Sequence, residues 1–193
     1  MEIVFWTAIG LIVYSYFVYP LLLIIMSNTK QVFTDSKTVN QVPVDENKLP
    51  NVTVIIAAYN EDSCIRARVE NLLSLDYPQD KLTIRIGSDG SSDNTPQILE
   101  SINAENFHAH IFEKNRGKMS VLNDLVASAT DEILVMSDAN THFNSDAINV
   151  LVKHFQNESI GVVCGELNLV DAESGINQDG IYWRYEQVIK FHE

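Results

Sequence analysis

Strand-like and helix-like stretches alternate from residue 51 to the end of the chain. Residues 51–60 (NVTVIIAAYN) form a β-branched apolar run that ends in polar side chains, which is typical of a buried strand. Ile65, Val69 and Leu72 follow at helical spacing, and Pro78 ends the helical pattern. The first unit is therefore predicted to be a strand followed by a helix.

Four further units repeat this pattern. Their strand and helix segments are residues 81–90 and 91–103, 109–115 and 118–129, 132–140 and 145–155, and 160–170 and 181–193. Five strands that alternate with helices predict an α/β domain with a mostly parallel sheet and helices on both faces. Ligands of such sheets bind at the edge formed by the carboxyl ends of the strands, so polar residues there are the first candidates for a functional site.

A stretch without charge precedes this domain. As a helix, residues 3–26 extend over roughly 36 Å, enough to cross a hydrocarbon core of about 30 Å. The length of the stretch and the lack of a preceding basic residue argue against a cleaved signal peptide. Lys30 and Lys37 follow it and only Glu2 precedes it, which predicts that the domain lies on the cytoplasmic side of the membrane. The predicted organisation is a transmembrane helix at 1–28, a polar linker at 29–50 and the α/β domain at 51–193.

The composition limits the expected partners. The chain has 26 acidic residues against 13 Lys and Arg and no basic run, so nucleic acid is not an expected partner. An anionic ligand would need a local device such as a metal ion or a helix N-terminus. Cys64 and Cys164 lack the spacing of a zinc site and are predicted to be small buried side chains in a reducing compartment.

Polar side chains follow three of the predicted strands. They are Tyr59 and Glu61 after the first, Asp89, which Gly90 follows, at the end of the second, and Asp138 and Asn140 at the end of the fourth. Helix capping explains part of the polar rim, and Asp62 and Asp93 are assigned to it. Tyr59 offers a flat face and a hydroxyl suited to a nucleobase, although an ordinary strand aromatic is an equal alternative. Asp89 before Gly90 either lets backbone come close to a ligand or is simply a turn.

Arg116 and Lys118 flank Gly117 at the start of the third predicted helix. Because cations oppose the dipole at a helix N-terminus, a bound anion is one explanation for them, and solvated surface charge is the other. A Walker-type phosphate loop is excluded because Phe112 stands where that loop requires a glycine. No strand is followed by G-x-G-x-x-G, so dinucleotide binding has no support.

Asp138 and Asn140 lie one residue apart where the fourth predicted strand ends. Hard cations such as Mg²⁺ and Mn²⁺ take oxygen ligands, and they commonly combine one or two carboxylates with substrate phosphates. Asp and Asn are also common at loop entrances. The predicted position of the pair at the sheet edge is what favours a divalent metal.

Four segments in this order, VIIAAYNE, IGSDGSSDNT, NRGKMSVLN and VMSDAN, resemble the motifs of the family 2 glycosyltransferases with the GT-A fold. The apolar helix before them resembles the arrangement in cellulose synthase-like and hyaluronan synthase-like members. The resemblance covers about residues 51–193. It implies a membrane-anchored inverting enzyme that transfers a sugar from a nucleotide-sugar donor, with a UDP-sugar expected, to a carbohydrate or lipid-linked acceptor.

The resemblance also implies roles for individual residues. Tyr59 and Glu61 would border the nucleotide, and Asp89 would recognise the uracil edge. Lys118, together with Arg116, would lie near the diphosphate. The binding site for the donor is thus expected to combine the ends of the first two strands with the start of the third helix.

The fourth motif matches the metal-binding Asp-x-Asp sequence of the family. Asp138 corresponds to its first acid, close to the donor sugar and a Mg²⁺ or Mn²⁺ ion, and is the expected catalytic residue. Asn140 replaces the second acid, so the resemblance implies weaker metal binding.

Two further family motifs have no match after Asp138, namely the acceptor-activating carboxylate of a Thr-Glu-Asp type motif and the Gln-x-x-Arg-Trp motif of processive members. The domain is therefore expected to be truncated, to supply the donor-binding half, and to bind nucleotide with little turnover by itself. One alternative is a non-catalytic membrane-tethered nucleotide-binding or assembly protein with a GT-A-like domain. Another is a nucleotidyltransferase or a different α/β enzyme.

Overall fold

A computed structural model describes residues 1–33, 49–168, 185, 186 and 189. The chain divides into two compact units, one formed by residues 1–40 with 165–193 and the other by residues 41–164. In the first unit, helix α1 (Glu2–Val13) leads through a π-helical turn (Tyr14–Val18) into helix α2 (Tyr19–Phe33). The stretch Glu2–Ser27 is 26 residues long with a mean hydropathy of 2.2, which is long and apolar enough for a membrane span.

The π-helical turn has a cause in the sequence. Pro20 has no N–H, so the carbonyl of Tyr16 lacks its usual donor four residues later. The helix widens in front of the proline, where the N–H of Tyr19 donates to the carbonyl of Tyr14 five residues earlier. Helix α2 then continues to Phe33, into the region predicted as linker. Residues 34–48 of that region lie outside the described residues.

The second unit contains the alternating strands and helices. In chain order they are β1 (Val52–Ala58), α3 (Ile65–Leu73), a 3₁₀ turn (Gln79–Lys81), β2 (Leu82–Asp89), α4 (Thr95–Glu100), β3 (Phe107–Phe112), α5 (Lys118–Ser128), β4 (Ile133–Met136) and α6 (Ala147–His154). The four strands form one parallel sheet in the order β3-β2-β1-β4. The predicted α/β fold with a parallel sheet is confirmed.

The central strands β1 and β2 bury side chains on both faces of the sheet. Along β1, Val54 and Ile56 point to one face, where they share a core with α3, α4 and α6 that includes Val69 and Ile148. Ile55 points to the other face and packs against Val121, Leu122 and Leu125 of α5. Each such side chain contributes roughly 1.5–3 kcal/mol when fully buried, which explains why the central strand is apolar in every position but Thr53.

The fold contradicts the predicted fifth strand and the predicted burial of both cysteines. Residues 160–168 of the predicted fifth strand form no strand, while residues 169 and 170 lie outside the described part. Cys164 is exposed, whereas Cys64 is partly buried. Of the predicted last helix, residues 185, 186 and 189 are helical and the other positions are not described.

Candidate functional site

The carboxyl ends of β1, β2 and β4 meet at one edge of the sheet. Ala58 pairs with Ser88 at the end of β1 and β2, and the N–H of Ser137 donates to the carbonyl of Ile55 at 3.3 Å. Tyr59 follows β1 directly, and its side chain is 51% exposed. Asp138 follows Ser137, so the tyrosine and this carboxylate belong to the same edge. The prediction that the polar strand ends share one edge is confirmed.

The loops after β1 and β2 are joined by hydrogen bonds. Asn60 has a φ of +55°, a backbone conformation that Asn tolerates better than most residues. Its side-chain oxygen accepts from the N–H of Ser92 at 2.8 Å, and its own N–H donates to Ser91 at 3.1 Å. The N–H of Glu61 donates to the hydroxyl of Thr95 at 2.9 Å. Asn60 therefore orders the loop that carries Tyr59 and Glu61. This role of Asn60 was not predicted from the sequence, although Asn is a residue type that favours turns with a left-handed backbone.

Asp93 and Asp62 differ in the capping roles predicted for them. Asp93 accepts from the N–H of Thr95, at the start of α4, at 3.0 Å and from the N–H of Asp62 at 3.1 Å. Desolvation raises the pKa of Asp93, but the hydrogen bonds from Thr95 and Asp62 outweigh it and hold that pKa below its usual value. Asp93 thus satisfies the first N–H of α4 with its carboxylate, but it precedes the N-cap position, which Asn94 occupies. Asp62 is not a cap, because Cys64 occupies the N-cap of α3 and Asp62 contributes its backbone N–H instead.

Asp89 is buried and holds the loop that precedes α5. One carboxylate oxygen accepts from the N–H of Arg116 at 2.8 Å and the other from the N–H of Gly117 at 2.9 Å. Each oxygen retains a second acceptor position, so contact with a nucleobase stays a prediction. Gly90 beside it has a φ of +64°, and a Cβ there would lie 2.3 Å from the nitrogen of Asn115.

The two predicted anion-binding side chains have protein partners in this state. The guanidinium of Arg116 pairs with Asp124 of α5 and lies 4.3 Å from the ring centre of Phe112. Lys118 pairs with Asp138, and the two side chains are 57% and 59% exposed. An exposed ion pair contributes roughly 0–1 kcal/mol, so a phosphate and a metal ion could separate Lys118 from Asp138 at little cost.

A divalent metal ion fits this edge only if the protein and a bound substrate both supply ligands. Asp138 and Asn140 are both exposed and offer one carboxylate and one amide oxygen. Among the described residues, no group of three or more His, Cys, Asp and Glu side chains could hold a metal ion. Mg²⁺ is commonly held by one or two protein oxygens together with substrate phosphates, which is the chemistry that this pair allows.

Cys64 connects the two halves of the edge. Its thiol is 3.2 Å from the carboxylate of Glu61, the nearest acceptor for its single hydrogen, and 3.8 Å from the carbonyl oxygen of Ala139. Burial, followed by the hydrogen bond to Glu61, raises the pKa of Cys64 to about 11. The thiol therefore stays protonated at neutral pH and can donate its hydrogen either to Glu61 or to Ala139, the residue that separates Asp138 from Asn140.

A parallel α/β sheet with these four motifs along its carboxyl edge defines a GT-A type domain. The family model described as Glycosyl transferase family 2 matches residues 53–191. The chain belongs to this family.

Two relatives agree with this assignment. Poly-beta-1,6-N-acetyl-D-glucosamine synthase of Staphylococcus aureus (strain COL) is 31% identical over 131 residues, which cover 66% of this chain and 31% of the relative. Beta-monoglucosyldiacylglycerol synthase of Trichormus variabilis is 32% identical over 122 residues, which cover 61% of this chain and 26% of the relative. The chain thus spans about a third or less of the length of these relatives.

Two solved structures share the fold. The mannosyltransferase PcManGT from Pyrobaculum calidifontis, in complex with GDP-Man and Mn²⁺, is 27% identical with a TM-score of 0.63, covering 77% of this chain and 43% of that protein. TarS 1-349 of S. aureus in complex with UDP-GlcNAc is 24% identical with a TM-score of 0.51, covering 56% of this chain and 31% of TarS.

Proposed function

We propose that the chain is the donor-binding part of a membrane-anchored, inverting glycosyltransferase that takes a UDP-sugar donor with Mg²⁺ or Mn²⁺. The observation that carries this proposal is the Lys118–Asp138 pair at the carboxyl edge of the sheet. A cation suited to a diphosphate and a carboxylate suited to a metal face each other there. The complex of PcManGT with GDP-Man and Mn²⁺ supports the same combination of ligands.

The residues of this edge divide the work of binding the donor. Tyr59 would stack on the base, and Asp89 would hold the loop before α5 while accepting from the base. Lys118 would donate to the diphosphate once it leaves Asp138. Asp138 and Asn140 would hold the divalent metal, which supplies charge neutralisation for the departing nucleoside diphosphate. The base that deprotonates the acceptor hydroxyl belongs to the acceptor side of the site and is not among these donor-side residues.

The membrane-spanning role of the N-terminal helix and the cytoplasmic position of the domain are part of this proposal. Their support is the apolar stretch Glu2–Ser27 and the two lysines, Lys30 and Lys37, that follow it. An acceptor that is a carbohydrate or is carried on a lipid would meet the domain at the membrane surface.

Titration of UDP into the 193-residue chain in detergent, with and without Mn²⁺, tests the proposal. We expect Mn²⁺ to strengthen UDP binding and Asp138→Ala to remove that gain. Asp80→Ala is the matched control, because Asp80 is an exposed carboxylate before the amino end of β2. GDP, ATP and CTP serve as competing nucleotides.

The outcomes separate the alternatives. A UDP affinity that changes neither with Mn²⁺ nor with Asp138→Ala would favour a non-catalytic, membrane-tethered nucleotide-binding protein. Preference for ATP or CTP would favour a nucleotidyltransferase. Preference for GDP would keep the glycosyltransferase and correct the donor.

A further inference from the structure

Arg68 of α3 carries a positive charge in the interior of the domain. Its side chain is 0% exposed and is the largest of the fully buried side chains. In the part of the chain that the structure describes, the ion pairs are Arg116 with Asp124 and Lys118 with Asp138, so Arg68 has no carboxylate partner there. Burial lowers the pKa of Arg68 to about 10, which leaves it charged at neutral pH.

The guanidinium is held by neutral groups that lead to the β4–α6 loop. One terminal nitrogen donates to the side-chain oxygen of Asn71 at 2.8 Å, and the other donates to the hydroxyl of Ser137 at 2.9 Å. The group lies 4.3 Å from the ring centre of Phe143. Its Nε is buried without a hydrogen-bond partner.

Asn71 extends this contact to the far end of the loop. Its amide nitrogen donates to the carbonyl of Phe143 at 2.8 Å, and its oxygen accepts from the N–H of Phe143 at 2.9 Å. Arg68 and Asn71 together therefore hydrogen-bond to both ends of the loop, at Ser137 and at Phe143. Asp138 and Asn140 lie between these two points.

A buried charge without a counter-ion is unfavourable for stability, and an apolar side chain of similar size would usually serve the core better. Position 68 lies on the helical stripe between Ile65 and Leu72, where leucine would extend the core. The hydrogen bonds of Arg68 run instead to the segment that carries the metal motif. Groups that orient metal ligands from behind commonly affect metal affinity by about 10-fold to 100-fold when they are changed.

We propose that Arg68, with Asn71, is a positioning residue that fixes the Ser137–Phe143 loop from beneath, so that the oxygens of Asp138 and Asn140 face the donor together. This inference rests on the donor and metal binding proposed above. Arg68 itself is enclosed and touches neither ligand. Its effect should therefore fall on the metal-dependent part of nucleotide binding, while contacts from β1, β2 and α5 keep their strength.

The test uses the 193-residue chain in detergent, with UDP and Mn²⁺ as probes, and compares Arg68→Met with Tyr77→Phe. Tyr77→Phe is the structural control, because it removes a buried hydrogen bond to the carbonyl of Pro50 (2.7 Å) at the amino end of the sheet. We expect Arg68→Met to reduce the Mn²⁺-dependent gain in UDP affinity by about 10-fold or more and to leave metal-free UDP binding unchanged. Tyr77→Phe should preserve the gain, and Arg68→Lys should restore part of it because a charged donor returns.

A second measurement does not depend on ligand binding. Hydrogen exchange at the amide of Phe143, which donates to Asn71, should speed up in Arg68→Met more than in Tyr77→Phe. An unchanged Mn²⁺ gain in Arg68→Met would overturn the positioning role. If the wild-type chain binds no UDP, the proposed function fails, and hydrogen exchange then decides the positioning role by itself. Faster exchange at Phe143 in Arg68→Met would support that role, and unchanged exchange would overturn it.

Discussion

At the scale of single residues, the ion pair between Lys118 and Asp138 gives two effects of opposite sign. Lys118→Met should weaken UDP binding by about 10-fold or more, because a charge-assisted hydrogen bond to phosphate is worth roughly 1.5–3 kcal/mol. The same change should strengthen binding of Mn²⁺ alone by a few-fold at most, because Asp138 loses an exposed cationic partner. Calorimetric titration of UDP and of Mn²⁺ separately measures both. Lys153→Met, an exposed lysine at the end of α6, should change neither, and equal losses for both ligands would contradict the pairing argument.

The position of Gly90, beside Asp89, has no room for a side chain larger than hydrogen. Gly90→Ala should destabilise the domain by about 2 kcal/mol or more, since a left-handed conformation alone costs roughly 1–2 kcal/mol. The new Cβ would also overlap the backbone nitrogen of Asn115 at 2.3 Å, and backbone gives way less easily than a flexible side chain. Chemical denaturation measures the loss. Gly161→Ala, where nothing lies within 4 Å, is the control, and equal stability of the two variants would contradict this account.

At the scale of elements, the sequence predicts most of the sheet because β-branched runs and helical periodicity agree with each other. Four strands and the helices between them lie where the pattern places them. The segment 160–168 has the same apolar pattern but forms no strand, since a strand also needs a neighbour to pair with and the pattern does not specify one.

The role of Arg68 could not be predicted from the sequence for a related reason. A charged residue on a helix normally indicates a solvated position, and its partner Ser137 lies 69 residues away in the chain.

The edge strand β3 should make stability depend on pH. His110 is half-buried, its Nε2 lacks a partner, and burial, followed by the positive charges of Arg85 and His108, lowers its pKa below the usual 6.5. The unfolded chain therefore binds a proton at a higher pH than the folded domain does. The stability from neutral His110 is present above about pH 6.5 and is lost as the pH falls below it.

His110→Leu tests this dependence. We expect the free energy of unfolding of the wild-type chain to fall between pH 7.5 and pH 5, and the slope to be smaller in His110→Leu. His154→Gln, at the end of α6, should keep the wild-type slope. Urea denaturation across this pH range measures all three proteins, and parallel profiles would exclude His110 as the responsible group.

At the scale of the whole molecule, no strand among the described residues pairs with the outer side of β4. β4 is the outer strand next to β1, and its Leu134 and Met136 are 36% and 59% exposed, whereas the β1 residues that pair with them are buried. The similarity to PcManGT covers 43% of the length of that protein. Exposed apolar surface of this kind favours association, so low solubility of the isolated domain stays a prediction.

The orientation proposed for the chain in a membrane can be tested through the reactivity of one thiol. Cys164 is exposed, whereas the thiol of Cys64 is partly enclosed between Glu61 and Ala139. In intact cells that express the chain, a membrane-impermeant maleimide should leave Cys164 unlabelled, and it should label Cys164 once the membrane is opened. Cys164→Ser should abolish the label, which assigns the signal to this residue.

A cysteine at the other end of the span supplies the matched comparison. Glu2→Cys, introduced into Cys164→Ser, should react in intact cells, because the proposed orientation places the opposite end of the apolar stretch, with Lys30 and Lys37, in the cytoplasm. If the reagent labels Cys164 in intact cells and spares Glu2→Cys, the orientation is the reverse of the one proposed. The nucleotide-sugar donor would then have to be available outside the cytoplasm. If both positions react only after the membrane is opened, the apolar helix does not cross the membrane, and the domain is held at its inner surface or not at all.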